Sequence, residues 1–249
     1  MKKALALIAF GAAASASFAG VVYDSLYSDL GQTTFRTLTN TGSTPRGKKG
    51  DIVTLAPLTG TDTFYNLQSL VCTLNNNSAN AFNGAIDLNI KLYKTATPGA
   101  GTTTPVFTDM FYNGTASFSS FSLASGFASI VTITFGSLGV DMVPSSLSAP
   151  TFGIELTTLV GGVANDDVSP GLTSMPTSTP LTVGSSTNGW YRDVNNDGTL
   201  QQSEARVFSG VDSNLALVLN ANAVPEPASF AVMGLGIVGL VARRRRSSK

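Results

Sequence analysis

Ile86-Asp87-Leu88-Asn89-Ile90-Lys91-Leu92 decides the fold class of this 249-residue chain. Alternate side chains of an extended segment point to opposite faces. Ile86, Leu88, Ile90 and Leu92 therefore share one face, and Asp87, Asn89 and Lys91 the other. The segment reads as a strand with one side in a core and one side in water. The same pattern recurs, more weakly, along the chain. In Ile130 to Phe135, Val131, Ile133 and Phe135 lie on one face, with Thr132 and Thr134 opposite.

Strands are predicted over 64–74, 85–93, 106–112, 129–135, 152–159, 189–192 and 215–220. No stretch of 20–224 sustains a 3.6-residue apolar period over three turns. Thr, Ser, Asn and Gly are abundant, and Glu and Lys are scarce. The expectation is an all-β domain over 20–224, an antiparallel β-sandwich of jelly-roll or immunoglobulin-like kind. Between the strands, Gly42 to Gly50 reads as a solvated basic loop. Thr95 to Pro105 and Gly171 to Asn188 read as irregular surface segments.

Within 20–224 there are eight basic and fourteen acidic residues, a net charge of −6. That balance argues against nucleic acid and suits divalent cations. The chain has no histidine, which removes Ser-His-Asp and Cys-His catalysis and His-ligated metals. Cys72 is its one cysteine, so no intramolecular disulfide exists. In an extended segment Cys72 shares a face with Leu70 and Leu74, as a buried, inert thiol would. Glycoside hydrolysis needs two carboxylates about 5–9.5 Å apart. Glu155 and Glu204 are the only glutamates of 20–224. Asp166 and Asp167 are adjacent, would point apart, and read as solvated loop charges. A non-enzymatic protein is expected.

One stretch carries possible chemistry. Asp193-Val194-Asn195-Asn196-Asp197-Gly198-Thr199-Leu200-Gln201-Gln202-Ser203-Glu204 fits the twelve-residue calcium-loop pattern. Asp193, Asn195, Asp197, Thr199, Gln201 and Glu204 fall at the ligand positions and Gly198 at the turn. The flanks do not read as the helices of an EF-hand. The same stretch also reads as a β-hairpin turning at Asn196-Asp197-Gly198, with Trp190 and Tyr191 paired across from Val207 and Phe208. Calcium, if bound, would be structural. Trp190 beside Tyr191 reads either as a sugar-stacking platform or as buried core aromatics.

The two ends are of a different kind. Met1-Lys2-Lys3, the apolar Ala4–Ala14 and Ser17-Phe18-Ala19 make a secretory signal peptide over 1–19, with cleavage expected between Ala19 and Gly20 by signal peptidase. At the other end, Val224-Pro225-Glu226-Pro227 is rigid and extended, since proline fixes φ and removes a backbone donor. Residues 228–242 carry no charge. As a helix rising about 1.5 Å per residue they span about 22 Å, short of the roughly 30 Å hydrocarbon core. Arg243, Arg244, Arg245 and Arg246 follow and should stay cytoplasmic.

These three parts, in this order, resemble the PEP-CTERM sorting signal of Gram-negative bacteria, here over residues 224–249. The resemblance implies recognition by a membrane-embedded exosortase, cleavage at or near Pro225-Glu226-Pro227, and release or attachment at the cell surface. It also implies association with biofilm and exopolysaccharide material. The alternative from the residues alone is a carbohydrate-binding or adhesin module, with calcium as a possible stabiliser.

Overall fold

The computed structural model describes residues 19–26, 47–96, 104–136, 139–176, 181, 183–186, 189–206 and 211–225. Sixteen strands follow along them: β1 (Gly20–Asp24), β2 (Lys48–Thr54), β3 (Asp62–Asn76), β4 (Phe82–Ala96), β5 (Phe107–Leu123), β6 (Ala128–Thr134), β7 (Val140–Met142), β8 (Thr151–Val160), β9 (Val163–Ala164), β10 (Val168–Pro170), β11 (Leu172–Pro176), β12 (Ser185–Ser186), β13 (Trp190–Arg192), β14 (Ala205–Arg206), β15 (Val211–Leu215) and β16 (Leu217–Pro225). The one helical element among them is a 3-10 turn at Gln202–Glu204. The all-β expectation holds. Each of the seven predicted strands is present, and three run far longer than their alternation indicated.

All pairings are antiparallel. One sheet has the order β1-β16-β3, with β10, β6 and β7 also paired to β3. The other has the order β14-β13-β2-β8-β4-β5, with β12 on β2 and β9 on β8. A two-stranded ribbon of β11 and β15 completes the pairing. The inner faces share one core. Leu70, Cys72 and Leu74 of β3 meet Ile86, Leu88, Ile90 and Leu92 of β4, together with Phe152, Ile154 and Leu156 of β8. Alternation along β4 places these residues as the sequence requires, and Asp87, Asn89 and Lys91 stay at the surface side. Cys72 is buried as expected, and burial pushes its thiol up to about 12.

Three expectations fail for one reason. Lys48-Lys49-Gly50 is the start of β2 rather than the end of a solvated loop, and β2 is buried on both faces. Lys49 lies 3% exposed. Its Nζ donates to Ser169 Oγ at 2.8 Å and to the Pro170 carbonyl at 2.6 Å, and sits 5.8 Å from the Trp190 ring centre. Leu172 and Thr173, within the expected irregular segment 171–188, are buried in β11. Asp166 is also buried, and its carboxylate accepts from Arg192 Nη2 at 2.7 Å. In each case a partner distant in sequence satisfies a polar group, so a polar segment enters the interior. Asp167 remains exposed.

Among the described residues no helix is long and apolar enough to cross a membrane. Residues 1–18 of the expected signal peptide lie outside the described residues, as do Glu226, Pro227, the expected helix 228–242 and Arg243–Arg246.

Candidate functional site

Two regions singled out by sequence can be built from their surroundings: the loop between β13 and β14, and the junction of β16 with the tail.

Tyr191 pairs with Ala205 and Trp190 with Arg206, so residues 193–204 connect two antiparallel strands. Two antiparallel strands flank the stretch, as a hairpin requires, but the cross-strand partners are Arg206 and Ala205 rather than Val207 and Phe208, which lie outside the described residues. The turn is made at Asn196 (φ 58) and Gly198 (φ 86), left-handed conformations that Asn and Gly adopt most readily.

Within the loop, carboxylates and amides bind backbone N–H groups. Asp193 Oδ2 accepts from Gly198 N at 3.0 Å, Asn195 Oδ1 from Asp197 N at 3.1 Å, and Asp197 Oδ1 from Thr199 N at 2.8 Å. Gln201 Nε2 donates to Asp197 Oδ2. Glu204 holds the loop shut: Oε1 accepts from Val194 N at 2.6 Å and Asn195 N at 3.2 Å, and Oε2 from Gln201 N at 3.0 Å. Lys48 Nζ reaches in from β2 and donates to the Gly198 carbonyl at 2.5 Å. Leu200 anchors the loop from below, packed with Ile52, Phe107 and Tyr191. Sequence reasoning missed Leu200. Its signal was that, after Val194, it is the one large apolar side chain of the polar run 195–204.

A pocket of about 290 Å³ beside the loop is lined by Gly47, Lys48, Ala164, Asp193, Asn196, Asp197 and Gly198. Asp193 is buried, and among the described residues its Oδ1 has no hydrogen-bond partner. Burial pushes this carboxyl up, the Gly198 amide pulls it down, and the charge of Glu204 pushes it up again. Among the described residues no three acidic or cysteine side chains come together as a metal-holding group. For a calcium ion, then, the fit is partial. Asp193, Asn195 and Asp197 present oxygens on one arm of the loop, while Glu204 is turned to three backbone amides.

Trp190 and Tyr191 are 2% and 5% exposed. Trp190 belongs to the main core, and Tyr191 meets the Phe107 ring edge-on at 5.6 Å. Neither presents a face to a sugar ring, so the stacking platform is withdrawn. β13, which carries both residues, packs against β2, β14, β15 and the 3-10 turn at Gln202–Glu204.

At the other region, β16 does not stop at residue 220. It continues through Asn222, Ala223 and Val224 to Pro225, opposite Asn66, Tyr65, Phe64 and Asp62 of β3. β1 pairs along its other side, with Gly20 opposite Ala221 and Val21 opposite Asn220. The expected signal-peptide cut at Ala19–Gly20 and the start of the Pro-Glu-Pro segment thus adjoin the same end of one sheet. Ala19 is exposed there.

No curated protein and no solved structure matches the chain. Residues 223–246 match the family model described as the PEP-CTERM protein-sorting motif. A motif of this kind implies an exported protein with a C-terminal membrane-anchor signal that an exosortase recognises. The chain is therefore a carrier of the PEP-CTERM protein-sorting motif, which begins inside the last strand of its β domain.

Proposed function

We propose that this is a non-enzymatic exported protein. Its β domain is placed at the cell surface, or in extracellular matrix of biofilm and exopolysaccharide kind, after the sorting motif is cut. The observation that carries the reading is the motif match at 223–246, contiguous with a folded β domain. The domain is read as a jelly-roll sandwich. Its first, last, third and sixth strands lie side by side in one sheet, and its second, eighth, fourth and fifth in the other, an order of Greek-key crossings between two layers. Membrane contact is transient, through 228–242.

The test is the intact mass of the native protein, recovered separately from membranes and from extracellular material. The expected surface species begins at Gly20 and ends within Pro225–Pro227, with or without an added group. A membrane species that keeps Arg243–Arg246, with no shortened form outside, overturns the reading.

A second reading is a calcium-stabilised adhesin or carbohydrate-binding module. The unpartnered, buried Asp193 Oδ1 favours its calcium part. Asp193, Asn195 and Asp197 would hold the ion, which would stiffen the hairpin. Glu204 would serve the loop backbone. The carbohydrate part has lost the support that an exposed Trp190 would have given it.

A further inference from the structure

Asn222, Ala223, Val224 and Pro225 form a strand end held on one side only. Toward β3 they are paired down to Asp62. Toward β1 the ladder ends at Gly20 opposite Ala221, because Gly20 is the first residue of β1. Among the described residues only β1 and β3 pair with β16. These four residues are therefore fixed in the extended form and, among the described residues, no strand pairs with their second backbone edge. Alternate residues of a strand turn their N–H and C=O to opposite edges, so every second one offers both groups outward, and Pro225 has no N–H. That edge overlaps the first residues of the matched motif.

We propose that Asn222–Pro225 is the surface by which the exosortase takes hold of this chain. A segment of the enzyme adds to that edge as a further strand, and the sheet presents Asn222–Pro225, the approach to the cleavage segment, already extended. The proposal rests on the sorting reading above. Pre-organisation of this kind strengthens binding, because the strand loses no conformational freedom when the enzyme docks.

β1 runs antiparallel to β16, so residues added ahead of Gly20 in the same register would run along Asn222, Ala223 and Val224.

The test uses the full-length precursor, expressed in cells that contain the exosortase, with pulse-labelling and intact mass of the products. Inserting Thr-Val-Thr between Ala19 and Gly20 leaves the signal peptide removable, but gives the mature chain three strand-forming residues that cover the edge. Inserting Gly-Pro-Gly adds the same length without a pairing strand. Loss of Arg243–Arg246 is expected to slow on the order of tenfold with Thr-Val-Thr, the effect of one or two main-chain hydrogen bonds, and to keep the parental rate with Gly-Pro-Gly. Parental rates in both variants, or equal slowing in both, overturn the proposal while leaving sorting intact. A parent chain that never loses Arg243–Arg246 overturns the sorting reading and this proposal with it.

Discussion

Gly20 and Ala221 stand opposite each other in an antiparallel ladder, although they lie near the two ends of the chain. The contact closes the first sheet: β1 covers one flank of β16, whose other flank is held by β3. The two expected cleavage segments consequently adjoin one end of that sheet. The first strand also brings Tyr23 into the core, fully buried, beside Val22.

Tyr23→Ala is expected to cost about 3–5 kcal/mol, as removal of a large buried aromatic does. Urea denaturation of the purified protein measures it. Loss of less than about 1 kcal/mol would mean that β1 contributes little to the core.

Asp166 and Arg192 form a mostly buried ion pair at 2.7 Å. Asp166→Asn leaves the guanidinium without its charge partner and is expected to cost about 3–5 kcal/mol. Replacing both residues with apolar ones of similar volume should recover much of that loss. A double-mutant cycle in thermal unfolding checks both statements.

Lys49 gives the stability a distinct pH dependence. Burial lowers its ammonium to about 7, with Asp166 opposing the shift and Arg192 adding to it. Between about 7 and the ordinary 10.5 the unfolded chain binds more protons at this site than the folded one. Its contribution to stability therefore rises with pH across that window and is flat below it. Asp51 acts with the opposite sign. Burial raises its carboxyl well above 3.8 despite hydrogen bonds from Leu215 N and Ile52 N, so its contribution falls as pH climbs above that value. Denaturant titrations from pH 6 to pH 10 should show a rising component that Lys49→Met abolishes.

The loop offers two separable outcomes. Glu204→Gln removes the charge that three backbone amides share and is expected to cost about 1.5–3 kcal/mol with or without calcium. Hydrogen exchange at Val194, Asn195 and Gln201 should quicken. Calcium binding at the affinities of extracellular modules would stabilise by about 1.4–2.7 kcal/mol at roughly 10 mM ion. That gain is a rise of several degrees in Tm, and it should vanish in Asp193→Asn. An identical Tm with calcium and with chelator would remove the calcium reading.

Read alone, the sequence determined the all-β class, the core faces of β4 and β6, the buried state of Cys72 beside Leu70 and Leu74 on β3, and the identity of the tail. Each rests on local information. A period of two aligns apolar side chains whatever the strand pairs with, and a sorting motif is read as a linear string. The turn at Asn196 and Gly198 was legible for the same reason, since φ > 0 is a property of single residues.

Only the tertiary structure decided the rest. Lys49 and Asp166 look like loop residues until Ser169, Pro170 and Arg192 are brought to them across the fold. A charged group enters a core only where such partners compensate its lost hydration. Trp190 could have faced water or the interior, and the packing of two sheets and one loop settled it. Likewise, sequence alone ends the last strand at Asn220 and leaves out the segment Asn222–Pro225. It became the last rungs of a strand because β3 extends back to Asp62, a pairing between segments more than 150 residues apart that no local pattern encodes.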